Sequence, residues 1–276
     1  MPATLPTIDD LRRHLERLAP AALAEEWDNV GLLIGDPSTT VARIMTCLTP
    51  TLESVAEAIR ERASLIVAHH PLPFRGVKRI TTEETTGRML WDLIRAGIGL
   101  IAPHTGFDSS LDGINQRIAV GLGLEGIRPL KPHPSDPSGL QGTGRFGRLP
   151  RALTAPEFAA QVASFFSVAG LQVVDGGRPV TRVAIGCGAA GDFLADAVRL
   201  GCDGFVVGEL RFHAALEARA CGVTTVVPGH HATERFALEQ LATELAVTFP
   251  TTTVWASRDE TDPLVWQPHG KVTDRA

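Results

Sequence analysis

The sequence predicts an α/β fold from two observations. Short, almost uniformly apolar runs alternate with segments whose apolar residues recur about every three or four positions. A short apolar run suits a strand that is buried on both faces, as in a parallel or mixed sheet between helices. The three-to-four spacing gives a helix one apolar face. Alternation of the two patterns is typical of α/β proteins.

The individual elements follow in chain order. The apolar runs predict strands at residues 64–68, 98–102, 182–186, 204–208 and 223–227, and each run ends at, or is followed by, Gly, Pro or His. The amphipathic segments predict helices at 8–18, 53–62, 84–96, 111–122, 154–166, 191–200, 211–220 and 230–247. In the first helix, Ile8, Leu11, Leu15 and Leu18 form one apolar stripe.

A Pro-, Gly- and Ser-rich segment at residues 128–150 predicts a domain linker or a long connection. We place the boundary there, with a first α/β unit at 1–130 and a second at 131–276. The two halves echo each other, because ERASLIVAHH followed by AGIGLIAPHTGFD resembles LGCDGFVVGEL followed by CGVTTVVPGHHATE. Duplication and a chance likeness of two α/β units both remain open. The polar end of the chain, at 257–276, is expected to be frayed.

Composition and charge exclude several classes of protein. The chain has 276 residues, of which 44% are hydrophobic and 21% charged, with a net charge of −5. A protein that binds nucleic acid by neutralising phosphates needs a clustered basic excess, which is absent. No segment approaches the roughly 20 apolar residues of a membrane span, and the N-terminus lacks the apolar core of a signal peptide. The 4 cysteines have no C-x-x-C spacing, which suits reduced thiols. We therefore expect a cytoplasmic protein with neither nucleic-acid nor membrane partners.

Most of the histidines follow predicted strands. They are His69, His70, His104, His213, His230 and His231. Three carboxylates accompany them, namely Asp108, Glu209 and Glu234. Ligands of open α/β sheets gather at the carboxyl ends of strands, so this placement predicts a site. A lone histidine at a strand end is more often structural, and we assign His14, His133 and His269 to that class.

The spacing of these residues favours a metal centre. If a helix begins at His230, its side chain shares a face with Glu234, whereas His231 points about 100° away. His69 and His70 are neighbours on an extended chain and should point to opposite sides, which hints at two ions. Three histidines and two carboxylates exceed one open four-coordinate site but suit two ions about 3.5 to 4 Å apart.

Mixed imidazole and carboxylate ligands favour Zn, Fe, Mn, Co or Ni over Mg or Ca. The charge of two divalent ions exceeds that of two carboxylates, so the centre stays positive. We therefore expect a small anionic substrate, with a nucleotide as one candidate.

Two glycine-rich motifs carry weaker predictions. GTGRFG (142–147) matches G-x-G-x-x-G but does not open directly into a helix, so a strand or turn near a ligand is favoured over a dinucleotide loop. GCGAAGD (186–192) runs from a strand into a helix. It could present backbone N–H groups to an anion or simply be a close turn.

Long stretches, in order along almost the whole chain, resemble the NIF3-like dinuclear metal proteins, often labelled GTP cyclohydrolase I type 2 homologues. They are EEWDNVGLLIGDP (25–37), VAHHPLPF (67–74), HTGFD (104–108), GTGRFGRL (142–149), GCGAAGDFLADAVRLGCDGFVVGELRFH (186–213), GHHATE (229–234) and TDPLVW (261–266). The resemblance implies a mixed-sheet α/β fold of two similar, intertwined units with the metal site in the cleft between them. It also implies a ring-shaped homohexamer, to which Trp27, Leu32 and Leu33 could contribute contacts.

Carried over position by position, the dinuclear ligands implied by the resemblance are His69, His70, Asp108, His230 and Glu234. His104 and Glu209 match polar positions that line the cleft, and we predict them as catalytic residues. His231 stands where many relatives have Tyr.

These observations predict a dinuclear metal-dependent hydrolase. Activated water would attack an electrophilic carbon or phosphorus, and Glu209 or His104 would move protons. The family label implies GTP as the substrate, with water added at C8 of the purine and formate released. Two alternatives stay open: a phosphoesterase of other specificity, and a non-enzymatic ring protein that stores metal or regulates a partner.

Overall fold

The computed structural model describes residues 4–265, which form two mixed β-sheets flanked by helices. The α/β fold with mixed sheets predicted from the sequence is confirmed. Trp266, His269 and the rest of the C-terminal end predicted to be frayed lie outside the described residues.

The helices and strands agree closely with the sequence patterns. The α-helices are α1 (Ile8–Leu18), α2 (Leu52–Arg60), α3 (Thr85–Ala96), α4 (His104–Ser109), α5 (Ile114–Gly121), α6 (Ala155–Phe166), α7 (Leu194–Arg199), α8 (Phe212–Ala220) and α9 (His230–Thr248). The strands are β1 (Gly31–Ile34), β2 (Arg43–Cys47), β3 (Leu65–Ala68), β4 (Gly99–Ala102), β5 (Glu125–Arg128), β6 (Lys131–Pro132), β7 (Gly142–Thr143), β8 (Arg145–Leu153), β9 (Gln172–Val174), β10 (Val180–Gly186), β11 (Gly204–Val207), β12 (Thr224–Val227) and β13 (Thr253–Ala256). Every predicted helix and strand is present with small shifts at its ends, although α4 and the strands outside the apolar runs were not predicted. Within residues 4–265, each helix is too short or too polar to span a bilayer.

Local capping explains where several helices begin. The side chains of Thr7, Thr51 and Thr154 each accept a hydrogen bond from the backbone of the first turn of α1, α2 and α6. In each case a side chain of that turn accepts a hydrogen bond from the threonine backbone N–H, which completes a capping box.

The first sheet has the strand order β1-β4-β3-β2-β13. Neighbouring strands are parallel except for β1, which pairs antiparallel with β4. The second sheet has the order β5-β8-β10-β11-β12-β9, with β10, β11 and β12 parallel at its centre.

Each sheet takes a strand from the other half of the chain, because β5 precedes residue 130 and β13 follows it. The boundary between residues 130 and 131 stays a prediction.

The segment at 128–150, predicted as a linker or long connection, contains β6, β7 and the start of β8. The fully buried Arg145 guanidinium ties it to the first half of the chain. It donates hydrogen bonds to the carbonyls of Gly142, Gly144, Ser109 and Ser110 and to the Gln116 side chain. Because Ser109 and Ser110 end α4, this arginine also fixes the helix that carries Asp108.

One hydrophobic core spans both sheets. It joins Val67 and Ile101 of the first sheet to Ile185 and Val226 of the second, with Leu241 of α9 among them. Although α9 follows a strand of the second sheet, it packs against β2 and β13 of the first. The shared core therefore holds the carboxyl ends of the two sheets in a fixed relation.

The sequence echo corresponds to two βαβ units. In each, two adjacent parallel strands are joined by one helix: β3–α3–β4 in the first sheet and β11–α8–β12 in the second. The first strand of each unit is followed by His69 and His70 or by Glu209, and the second strand leads to His104 or His230. The echo thus marks equivalent positions around the cleft.

Candidate metal centre

The five predicted ligands come from the ends of strands in both sheets. His69 and His70 directly follow β3, and Asp108 lies on α4, which begins just after β4. His230 is the first residue of α9, just after β12, and Glu234 is one turn further along. The predicted helix register at His230 is therefore confirmed.

The atoms that could bind a metal come together around the carboxylate of Glu234. Its Oε2 atom lies 3.0 Å from Nε2 of His230 and 3.2 Å from Nε2 of His70. It also lies 4.0 Å from Nε2 of His69, which is 3.6 Å from Oδ1 of Asp108. One carboxylate thus stands between histidines on two sides.

The expectation that His69 and His70 point to opposite sides is wrong. Residues 69 and 70 form a bend after β3 rather than an extended strand, and their ring centroids are 5.1 Å apart. Both rings therefore face the cleft.

His69 has the character of an unprotonated ligand. The residue is fully buried, and neither ring nitrogen has a hydrogen-bond partner among the described residues. Burial lowers the pKa of His69 well below its usual value, so the ring is neutral. A buried imidazole without partners is unfavourable unless a ligand such as a metal ion satisfies it. The residues therefore fit a metal ion.

His70 and His230 each have an outer partner on Nδ1. Nδ1 of His70 is 2.7 Å from Oγ1 of Thr49, and Nδ1 of His230 is 2.6 Å from Oε1 of Glu209. Histidines that bind metals usually use the second ring nitrogen in this way, which fixes the ring and directs Nε2 to the ion. Glu260 in turn accepts hydrogen bonds from the backbone of Leu48 and Thr49.

The two predicted catalytic residues occupy different parts of the cleft. Glu209 is largely exposed and contacts His230. His104 is buried, and its ring lies 5.1 Å from that of His69 and 5.5 Å from that of His70. Of the remaining histidines that follow strands, His213 is exposed on α8, and His231 has a buried Nε2 without a described partner.

Asp28 is part of the site and was not predicted. Its carboxylate contacts His104 and Thr105 at the start of α4. It lies in the loop before β1, whereas the predicted site residues follow strands. The signal in the sequence was its place in EEWDNVGLLIGDP (25–37), one of the stretches that resemble the family.

The histidines and carboxylates of the site shift one another's pKa values. Burial would raise the pKa of Glu234, but His230 and His70, whose Nε2 atoms lie 3.0 and 3.2 Å from its carboxylate, hold that pKa well below its usual value. Burial would lower the pKa of His230, but the carboxylates of Glu234 and Glu209 raise it to about 9. Burial, followed by the charge of Glu234, raises the pKa of Asp108. The cluster therefore favours positive charge at its centre.

Gly188 lets the backbone approach Glu234 closely. Its φ is +59°, and a Cβ atom there would lie 2.1 Å from Oε1 of Glu234. The backbone N–H groups of Cys187 and Gly188 donate hydrogen bonds to the side-chain oxygens of Asn115 and Thr233. At these two positions the GCGAAGD segment is a close turn packed on the site, so these groups are not free for an anion.

Comparisons with known proteins point to one family. The family model described as Duf34/NIF3 (NGG1p interacting factor 3) matches residues 6–263. A protein of Streptomyces coelicolor called GTP cyclohydrolase 1 type 2 homolog is 36% identical over 230 residues, which is 82% of this chain and 81% of that protein.

Solved structures share the fold. The Staphylococcus aureus protein SA1388 superposes with a TM-score of 0.84 at 29% identity, covering 95% of this chain and 99% of that one. The Bacillus cereus protein related to NIF3 superposes with a TM-score of 0.86 at 23% identity, covering 96% of this chain and 100% of that one. The segment matched by the family model contains every residue of the cleft described above.

Proposed function

The chain belongs to the Duf34/NIF3 family, and from that premise we propose that it is a dinuclear metal-dependent hydrolase. The observation that carries the proposal is the convergence of three histidines on a shared Glu234, with both ring nitrogens of the buried His69 unpartnered. This donor set is larger than one open four-coordinate site requires.

The distances suggest how the ligands divide between two ions. At a tetrahedral centre, ligand bonds of about 2.0–2.2 Å place neighbouring ligand atoms roughly 3.3–3.6 Å apart. The contacts of Glu234 with His70 and His230, at 3.2 and 3.0 Å, are close to that spacing and support placing these three residues at one ion. His69 and Asp108, 3.6 Å apart, would then hold the second ion, with Glu234 shared between the two.

The rest of the chemistry follows from the residues around this centre. Two divalent ions, drawn from Zn, Fe, Mn, Co or Ni, would act as Lewis acids and lower the pKa of water. Two carboxylates do not neutralise two divalent ions, so the cleft should attract a small anionic substrate. His104 beside the donors and Glu209 at the exposed edge are the two groups placed to carry protons.

GTP is the first substrate to test, because relatives carry the name GTP cyclohydrolase 1 type 2 homolog. Water would add at C8 of the purine, the imidazole ring would open and formate would leave. Generic phosphoesters test the same centre for phosphoryl substrates.

The experiment is a turnover screen of metal-loaded protein against nucleotides and phosphoesters. Asp108→Ala should abolish saturable turnover because a predicted ligand is lost. Asp112→Ala is the matched control, since this exposed aspartate lies on the same segment without a side-chain contact to the site. Tight binding of two metals without turnover of any substrate would contradict the hydrolase and favour a metal-storage or regulatory ring protein.

We also propose a homohexamer on the strength of the family resemblance. Among the apolar residues expected at a contact, Trp27 is exposed, whereas Leu32 and Leu33 are partly buried against the chain's own core. Light scattering should return a hexamer. A monomer over a wide range of protein concentrations would refute this assembly.

A further inference from the structure

Asp28 is a buried carboxylate whose hydrogen bonds go to the start of α4. Its side chain is 1% exposed, and Oδ1 lies 2.7 Å from Nδ1 of His104. Oδ2 accepts hydrogen bonds from the backbone N–H of Thr105 and from its hydroxyl group. Burying a carboxylate is unfavourable unless such bonds satisfy it, so these contacts define where Asp28 sits.

The backbone at His104 is held in an uncommon conformation. Its φ is +33°, which non-glycine residues rarely adopt. The bonds from Asp28 to the His104 ring and to the next residue's backbone hold this turn in place. The ring is thereby fixed beside the predicted ligands, with one of its nitrogens within 4.8 Å of ligand atoms of His69 and His70.

The charge state of Asp28 decides which nitrogen of His104 carries the hydrogen. Burial would raise the pKa of Asp28, but the hydrogen bonds from His104 and Thr105 lower it to about 2. An ionised carboxylate can only accept hydrogen bonds. Nδ1 of His104 must therefore be the donor, which leaves the lone pair of the neutral ring on Nε2.

We propose that Asp28 is a positioning residue that keeps the hydrogen of His104 on Nδ1, so that Nε2 faces the cleft as a proton acceptor. The inference rests on the proposed function for the role of His104 but not for its tautomer. Nε2 would take one proton from the attacking water and return it to the leaving atom, while Asp28 stays ionised and stabilises the imidazolium formed in between.

The surroundings of His104 suit this role. The exposed Trp27 and the half-exposed Phe74 hold their rings 6.0 and 5.9 Å from the His104 ring. The loops that carry them are joined by a hydrogen bond of 2.8 Å from Nδ2 of Asn29 to the carbonyl of Pro73. His104 thus lies between the donor cluster and an aromatic wall that is open to solvent.

Nitrogen-15 NMR of protein whose histidine rings carry the label tests the proposal directly. The signals that disappear in His104→Gln are those of His104. In the wild type, metal-free and zinc-loaded, Nδ1 of His104 should carry the hydrogen and Nε2 should be free of both hydrogen and metal. In Asp28→Asn the Thr105 donors still need an oxygen, so the amide nitrogen turns to Nδ1 and donates to it. The hydrogen of His104 should then move to Nε2.

Thr105→Val is the matched control, because it removes a donor to Asp28 but keeps the bond between Asp28 and His104, and its tautomer should match the wild type. A wild-type ring with hydrogen on Nε2, an unchanged tautomer in Asp28→Asn, or zinc bound to Nε2 would each overturn the proposal. If Asp28→Asn does not fold, the wild type and the Thr105→Val variant still decide it. No substrate is needed, so failure of the hydrolase proposal would leave the tautomer result standing.

Discussion

Replacing Gly188 by alanine should remove at least one metal ion from the centre without unfolding the protein. The added Cβ would lie 2.1 Å from Oε1 and 3.1 Å from Cδ of Glu234, and 3.2 Å from Nε2 of His230. The group in the way is the end of a flexible side chain, so the fold can accommodate the methyl group by moving the carboxylate.

The size of that movement decides the outcome. Real Cβ atoms essentially never come closer than 3.0 Å to another heavy atom, so Oε1 must retreat by about 0.9 Å. Metal–ligand distances tolerate deviations of only about 0.2 Å. Loss of an outer partner alone typically lowers metal affinity about 10–100-fold, so displacing the shared ligand should reduce it by at least about 100-fold.

Gly201→Ala provides the matched control. Gly201 has a φ of +69°, close to the +59° of Gly188, and nothing lies within 4 Å of its Cβ position. Both variants bear the same backbone strain of roughly 1–2 kcal/mol, and only Gly188→Ala touches the site.

Elemental analysis after identical purification, together with thermal unfolding of the metal-free proteins, separates the two effects. We expect Gly201→Ala to keep two transition metals per chain and Gly188→Ala to lose at least one, with similar losses of stability. If Gly188→Ala retains the metal content of the wild type, Glu234 is not a ligand in the position described.

Three further predictions concern single residues. His230→Ala should lose at least one metal ion and His231→Ala should keep both, because only His230 shares a helix face with Glu234. The opposite result in elemental analysis would mean that the ligand is His231. The affinity of the metal-free protein for metal should rise by up to about tenfold per pH unit from about pH 7 and level off above about pH 9. The reason is that a metal must displace the proton of His230, whose pKa is raised to about 9. A metal affinity that does not change with pH in a chelator competition would show that His230 binds no metal. Glu57→Gln should lower the free energy of unfolding by roughly 1.5–3 kcal/mol, because this buried carboxylate accepts hydrogen bonds from Trp255 and from the backbone that follows β13. An unchanged midpoint in denaturant unfolding would contradict this prediction.

Local patterns in the sequence were sufficient for the elements that carry the ligands. The apolar runs at 65–68, 99–102 and 224–227 are strands, because a strand buried on both faces needs apolar residues at every position. The spacing of His230 and Glu234 predicted a shared helix face, because the period of a helix is fixed by its backbone. Both inferences depend only on residues near one another in the chain.

The rest of the site depends on contacts between distant segments. Asp28 and His104 are separated by 76 positions, and Gly188 meets Glu234 only because the turn after β10 packs against α9. The strands β2 and β13, which come from opposite ends of the chain, pair because α9 returns to the first sheet and buries Leu238 and Leu241 against it.

The sequence by itself thus determined the α/β class and which polar residues stand at the ends of strands. Only the tertiary structure decided which ring nitrogens have hydrogen-bond partners, which carboxylate lies between the histidines and which glycine packs against it. Those properties depend on hydrogen bonds and close contacts that form only when both sheets are packed on one core, since a buried carboxylate or imidazole is stable only where its partner arrives.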